Sequence, residues 1–188
     1  MRNRESFFDE RLRSKFRKKV FTVSVKLIRI FIILAITVQF FLIAIIPTPS
    51  MSPTLNPKDI VLIDAMVKES EYNRGDIVAF DSPLAEENGT IYVKRMIGLP
   101  SEEIEIRNHK IYINGEPLYE EYLAEVPYYD YPKTKIPEGH YFMLGDNRNL
   151  SYDSSSYGFV PKENLKGKVI YRIFPFDKIQ KFETGVFE

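Results

Sequence analysis

A serine hydroxyl becomes a nucleophile only when a base takes its proton, and two residues of this sequence suit that chemistry. Ser50 lies in the run Pro49-Ser50-Met51-Ser52-Pro53-Thr54-Leu55, four residues past a long apolar stretch. Lys94 lies in a strand-like run, Thr90-Ile91-Tyr92-Val93-Lys94-Arg95-Met96-Ile97. A lysine can act as base when apolar surroundings lower its pKa toward neutrality, and Tyr92, Val93, Met96 and Ile97 could supply them. Taken singly, each residue has a plainer reading: lysines are mostly exposed, and a serine between prolines suits a turn. His109, in the expected hairpin turn Arg107-Asn108-His109-Lys110, and His140, ahead of a strand, lie in no motif. A Ser-His-Asp triad and a histidine metal site are therefore disfavoured. The sequence has no cysteine, which excludes thiol catalysis, thiolate metal sites and disulfides.

The elements that must position this pair divide the 188 residues into a head, an anchor and a body. Residues 1–29 hold ten Lys/Arg against three Asp/Glu, whereas the rest of the chain holds 16 against 23, so a net charge of zero conceals a basic head and an acidic body. Residues 1–19 read as a basic cytoplasmic segment by the positive-inside rule. Nucleic acid is a poor partner for this head, because the apolar stretch follows at once. Residues 20–46 read as one transmembrane anchor, uncharged from Ile30 to Ile46, with Lys26 and Arg29 snorkelling to the inner interface. Pro47 and Pro49 would end its helix. A cleaved leader is disfavoured, because the apolar part is long and no small-x-small site follows. With the anchor ending at Ile46, Ser50 would be held within about 14 Å of the helix end.

Residues 47–188 read as a mainly β extracytoplasmic domain, a compact fold of coiled sheets. Short β-branched runs (59–64, 76–80, 91–97, 104–106, 111–113, 141–144 and 168–174) are separated by Asn-Gly-type turns. Residues 117–138, rich in Tyr and Pro, read as an extended loop.

Four blocks then appear in order: Pro49 to Leu55; Arg74-Gly75-Asp76-Ile77-Val78; Tyr92-Val93-Lys94-Arg95-Met96-Ile97-Gly98-Leu99-Pro100; and Gly145-Asp146-Asn147-Arg148-Asn149-Leu150-Ser151-Tyr152-Asp153-Ser154. Together they closely resemble bacterial type I signal peptidases, from the anchor through Ile173. The resemblance implies a Ser-Lys dyad on a signal-peptidase-like β fold with one N-terminal transmembrane helix. Such an enzyme removes signal peptides from exported preproteins at the cell membrane, without metal or cofactor. Its partners would be preprotein signal peptides, the lipid bilayer and the export translocon.

Matched block by block, the resemblance makes Ser50 the nucleophile and Lys94 the general base. The Ser50 N–H and the Thr48 hydroxyl would form the oxyanion hole. Ser151 would hydrogen-bond Lys94, and Asp146 would pair with Arg95. Asp153 is a further support whose usual arginine partner is replaced here by Ser155, so its ion pair is absent or rerouted to Arg148. Met51 and Leu55 would line the pocket for the residue before the cut, a role compatible with core packing. Tyr92 and Val93 would belong to the strand that pairs with substrate. Shallow apolar pockets in that family select Ala-x-Ala. The insertion around 101–144 is short. Two other readings are a self-cleaving regulator of the same fold, which an anchor argues against, and a non-catalytic anchored homologue that binds signal peptides, which the retained Ser50, Lys94 and Ser151 argue against.

Overall fold

The computed structural model describes residues 15, 17–32, 40–84, 86 and 89–183. It divides into two units, residues 1–40 and 41–188. Within the first, residues 17–32 form a helix, α1, with nearly all of its side chains exposed. Among the described residues no helix is long and apolar enough to cross a membrane. Residues 33–39, central to the expected anchor, and most of the expected cytoplasmic segment lie outside the described residues.

The second unit is built of antiparallel strands: β1 (Phe41–Ile45), β2 (Ile60–Asp64), β3 (Ile77–Asp81), β4 (Ile91–Gly98), β5 (Glu103–Arg107) and β6 (Lys110–Ile113). It continues with β7 (Glu116–Pro117), β8 (Tyr131–Lys135), β9 (His140–Leu144), β10 (Val160–Pro161), β11 (Leu165–Phe174) and β12 (Gln180–Lys181). A larger sheet runs β1-β2-β11-β3-β4-β9-β10, with β12 on β11; a smaller one runs β7-β6-β5-β8. Register shifts within β4 and β11 bend the larger sheet. The seven runs expected to be strands from their alternation fall on β2, β3, β4, β5, β6, β9 and β11.

Two elements differ from expectation. Phe41–Ile45, expected as the last turns of the anchor helix, is strand β1, paired with β2 from Phe41↔Asp64 to Ile45↔Ile60. A continuous apolar run suits either state, and here the ladder with β2 decides it. Ile46 is then core rather than helix end, so the tether of about 14 Å from helix to Ser50 does not apply. The other difference is β8, which lies inside the expected loop 117–138 and pairs with β5 at Glu103↔Lys135. Its Pro132 is tolerated because β8 is an edge strand.

Three apolar clusters fill the unit. One joins Met51 and Leu55 to Val61, Ile63, Ile77 and Val169. A second packs the smaller sheet's Ile104, Ile106, Ile111 and Ile113 on Ile97 and Phe142. The third gathers Val78, Phe80, Met96 and Met143. Ser50 follows Pro49 into a short 3-10 turn, Pro49–Met51. Proline suits the first position of such a turn because its missing N–H is not needed there. Met51 and Leu55 root the turn in the first core cluster. That anchorage fixes the direction in which Ser50 points.

Candidate active site

Lys94 Nζ lies 2.6 Å from Ser50 Oγ. The two residues are 44 positions apart in sequence, and each is nearly removed from water: Ser50 is 8% exposed and Lys94 3%. Burial pulls the Lys94 pKa from its ordinary 10.5 down to about 8, against the opposing pull of Asp153 and Asp146. Desolvation favours the neutral amine, so near pH 8 a large fraction of Lys94 can accept a proton. The Tyr92 ring, two residues back on the same face of β4, has its centroid 5.8 Å from Nζ.

Thr48 precedes the 3-10 turn, and its hydroxyl donates to Ser50 Oγ at 3.2 Å. It therefore stands beside the hydroxyl that Lys94 also contacts. Met51 and Leu55 are wholly buried in the first core cluster. Val93 packs on that same cluster from the opposite face of β4, while Tyr92 packs on the third. Tyr92 stacks on Tyr157 at 6.2 Å. The ladder between β4 and β9 covers Arg95 to Gly98.

The loop after β9 is laid directly on the serine backbone. Asn147 N donates to Ser50 O at 3.1 Å, and Asn147 Nδ2 donates to Pro49 O at 3.3 Å. Gly145 approaches so closely that a Cβ there would stand 2.4 Å from Ser50 O. Beside it, Arg95 Nε and Nη2 grip both oxygens of Asp146, at 2.8 and 2.7 Å. Arg95 Nη1 also donates to Gly75 O. Asp146 is shielded from water, so its charge is balanced by this bidentate pair.

One expected contact is not formed. Ser151 was expected to hydrogen-bond Lys94, but its buried hydroxyl has no hydrogen-bond partner. It is packed against Gly145, while the lysine amine is directed to Ser50. Of the two outcomes expected for Asp153, loss of its ion pair or rerouting to Arg148, the rerouting does not occur. Asp153 Oδ1 accepts from the backbone and hydroxyl of Ser155, at 3.1 and 2.8 Å. Its Oδ2 accepts from Gly145 N at 2.9 Å. Asp153 thus caps helix α2 (Ser154–Tyr157) and ties the loop to it. Arg148 turns the other way, to Glu120.

Sequence reasoning missed Asn147 as a clamp on Ser50, although it stands inside the fourth block. It also missed Glu120 and Tyr122, which carry no motif and sit in the expected loop. The two histidines stand on other partners: His109 Nδ1 is 2.8 Å from Pro127 O, and His140 Nδ1 is 2.9 Å from Glu138 O.

A serine held 2.6 Å from a buried, readily deprotonated lysine, on an antiparallel β scaffold, is equipped for acyl transfer through a serine nucleophile. The family described as "Signal peptidase, peptidase S26" matches residues 20–174, and the chain belongs to that family. A probable signal peptidase I-2 of Synechocystis sp. is 39% identical over 154 residues, covering 79% of this chain and 71% of that protein. Signal peptidase I S of Bacillus subtilis is 33% identical over 180 residues, covering 88% of this chain and 95% of that one. A crystal structure of a signal peptidase I from Enterococcus faecalis aligns with a TM-score of 0.47 and 40% identity, over 52% of this chain and 95% of that one.

Proposed function

We propose that this chain is a membrane-anchored serine endopeptidase that releases signal peptides from exported preproteins after small-x-small sites. The observation that carries the reading is the contact of 2.6 Å between Ser50 Oγ and the amine of buried Lys94. Neutral Lys94 takes the Ser50 proton as Oγ attacks the carbonyl of the residue before the cut. The Ser50 N–H and the Thr48 hydroxyl would donate to the oxygen that becomes negative. As the tetrahedral intermediate collapses, Lys94 gives its proton to the leaving amine and the signal peptide remains as an ester on Ser50. Water then enters and, as Lys94 takes one of its protons, adds to the ester carbonyl; on collapse Lys94 returns that proton to Ser50 Oγ and the signal peptide leaves as a carboxylate. Asp146, Arg95 and Asp153 act one layer back, fixing the loop that bears on Ser50. Ser151 lies in that same layer.

Membrane anchorage draws support from two apolar surfaces, each within its own unit. Helix α1 exposes Phe21, Leu27, Ile28, Ile30 and Phe31 to its surroundings. In the second unit, cross-strand pairing puts Ile43, Leu62 and Tyr171 in one row and Ile45, Ile60 and Phe174 in the next, on one face of the sheet. Ile43 and Ile45 are 67% and 66% exposed. Contiguous apolar surface of this kind suits a lipid interface. The anchor we propose ends before β1, near Phe40, rather than at Ile46. The N-terminus would then be cytoplasmic and the catalytic domain outside, where cleavage sites emerge beside the bilayer and the export translocon.

The test is cleavage of a preprotein by the detergent-solubilised chain, read by mass spectrometry, beside Ser50→Ala. Cleavage after Ala-x-Ala is expected from the parent chain, with a loss of at least about a thousandfold in the variant. Equal cleavage by both would assign the activity to a contaminant and favour a non-catalytic binding role.

A further inference from the structure

The segment between β7 and β8 reaches the site through one buried ion pair. Glu120 accepts from Arg148 Nη1 at 2.7 Å and from Nη2 at 2.6 Å. Both side chains are buried. The Tyr122 hydroxyl donates to Glu120 and accepts from Arg148 Nη2 at 3.2 Å. The Tyr122 ring lies against the neighbouring guanidinium, 3.9 Å from the Arg95 carbon centre. Both arginines lead back to the reacting serine. Arg148 Nε donates to Gly145 O at 3.0 Å, Arg95 holds Asp146, and the loop that contains Gly145 and Asp146 clamps the Ser50 carbonyl through Asn147. Farther along, Asn149 Nδ2 donates to Val126 O, and its Oδ1 accepts from Tyr128 N.

Building on the Ser50–Lys94 reading above, we infer that Glu120 and Tyr122 are positioning residues for the dyad. They form a strap that holds Arg148 and Arg95, and through them the 145–149 loop, against the Ser50 backbone. The strap does the work of the ion pair that Ser155 cannot make with Asp153. Its logic is electrostatic. Arg148 is fully buried and needs a carboxylate, and Asp153 is already occupied by Ser155 and Gly145. Without Glu120, Asp146 becomes the nearest carboxylate along the chain, and drawing on it would loosen the Arg95 pair. The loop would shift and Ser50 would follow. Substrate-binding surfaces on β4 would stay in place, so the damage falls on turnover rather than on binding.

The experiment compares steady-state cleavage and melting temperature for the full chain in detergent with Glu120→Gln, Glu120→Asp and Tyr122→Phe, plus Glu121→Gln as an exposed neighbour. Displacing a reacting group by about 1 Å costs on the order of a hundredfold. Glu120→Gln should lower kcat by roughly ten- to a hundredfold, and Tyr122→Phe by roughly three- to tenfold, with KM within about twofold in each. Glu120→Asp, which keeps the charge but shortens the reach, should fall between them, and Glu121→Gln should match the parent. Parent-like kcat in the folded Glu120 and Tyr122 variants would overturn the proposal. So would losses of kcat that merely track the melting temperature, or failure of all three to fold, since either assigns the strap to stability alone. Absence of cleavage by the parent chain would instead remove the peptidase reading on which the proposal stands.

Discussion

Lys94→Met is expected to cost at least about a thousandfold in kcat/KM while leaving the fold as stable at pH 7 as before, or more so. The loss follows from removing the proposed base, whose amine lies 2.6 Å from Ser50 Oγ. General base catalysis alone contributes about a hundred- to ten-thousandfold, and residues that act as one unit lose more than their separate share. The stability gain follows from the depressed pKa. Lys94 has its pKa near 8 in the fold, against an ordinary 10.5. The unfolded chain therefore binds the proton more readily than the folded one. Below pH 8 the protonated amine is carried into the core at a cost of roughly 3 kcal/mol, and the cost fades as pH rises from about 8 to 10.5. Methionine has nearly the same length and no charge, so the variant avoids that cost. Urea unfolding at pH 7 and again near pH 10 checks both parts. The difference should favour the variant at pH 7 and shrink at the higher pH. Retained cleavage would contradict the catalytic role, and a variant clearly less stable at pH 7 would contradict the burial argument.

Gly145→Ala is the second large effect. A Cβ at this position would stand 2.2 Å from Ser151 Oγ, 2.6 Å from Ser151 Cβ and 2.4 Å from Ser50 O. The Ser151 side chain can rotate, but Ser50 O is backbone and is held by Asn147 N. Either the Ser50 peptide or the loop must therefore give by several tenths of an ångström or more, and because Asn147 ties the two together the Ser50 peptide is expected to move. A shift of about 1 Å corresponds to a loss of about a hundredfold in rate, with a smaller loss in stability from overpacking, about 1–3 kcal/mol. Steady-state kinetics with a signal-peptide substrate measure the first, and thermal unfolding the second. A parent-like kcat would mean that the loop can retreat without carrying Ser50, and that the clamp is not part of the machinery.

How much of this was legible in the sequence depended on the kind of signal each residue carries. Alternating β-branched runs bounded by Asn-Gly turns place most of the strands, because a half-buried sheet imposes a period of two. β1 was hidden because Phe41–Ile45 continues an apolar tract, and apolar content does not distinguish a membrane helix from a strand. Only the pairing of Ile43 with Leu62 and Ile45 with Ile60 separates the two. β8 was hidden because Pro132 reads as a breaker, although an edge strand accepts it.

In the site, Ser50, Lys94, Arg95 and Asp146 were reachable because their blocks occur in a recognisable order. The direction of a polar contact was not. Asp153 and Arg148 are close in sequence and of opposite charge, yet Asp153 satisfies backbone N–H groups while Arg148 crosses to Glu120. Side chains such as Glu120 and Tyr122 lie in a loop without periodicity, and only the tertiary fold brings them to the arginines. The partnerless hydroxyl of Ser151 was equally beyond reach, since satisfaction of a buried polar group is a property of packing.

Activation of Ser50 by a buried neutral lysine would show itself in the pH dependence of kcat/KM between pH 6 and 10 for the full chain in detergent. This ratio reports the free enzyme. The charged groups bearing on Lys94 are Asp153 and Asp146, and both are outweighed by desolvation. The rate is expected to rise with pH along one limb with an apparent pKa of about 8. A rate independent of pH across this range, or a limb near 6.5 where an ordinary histidine titrates, would contradict it.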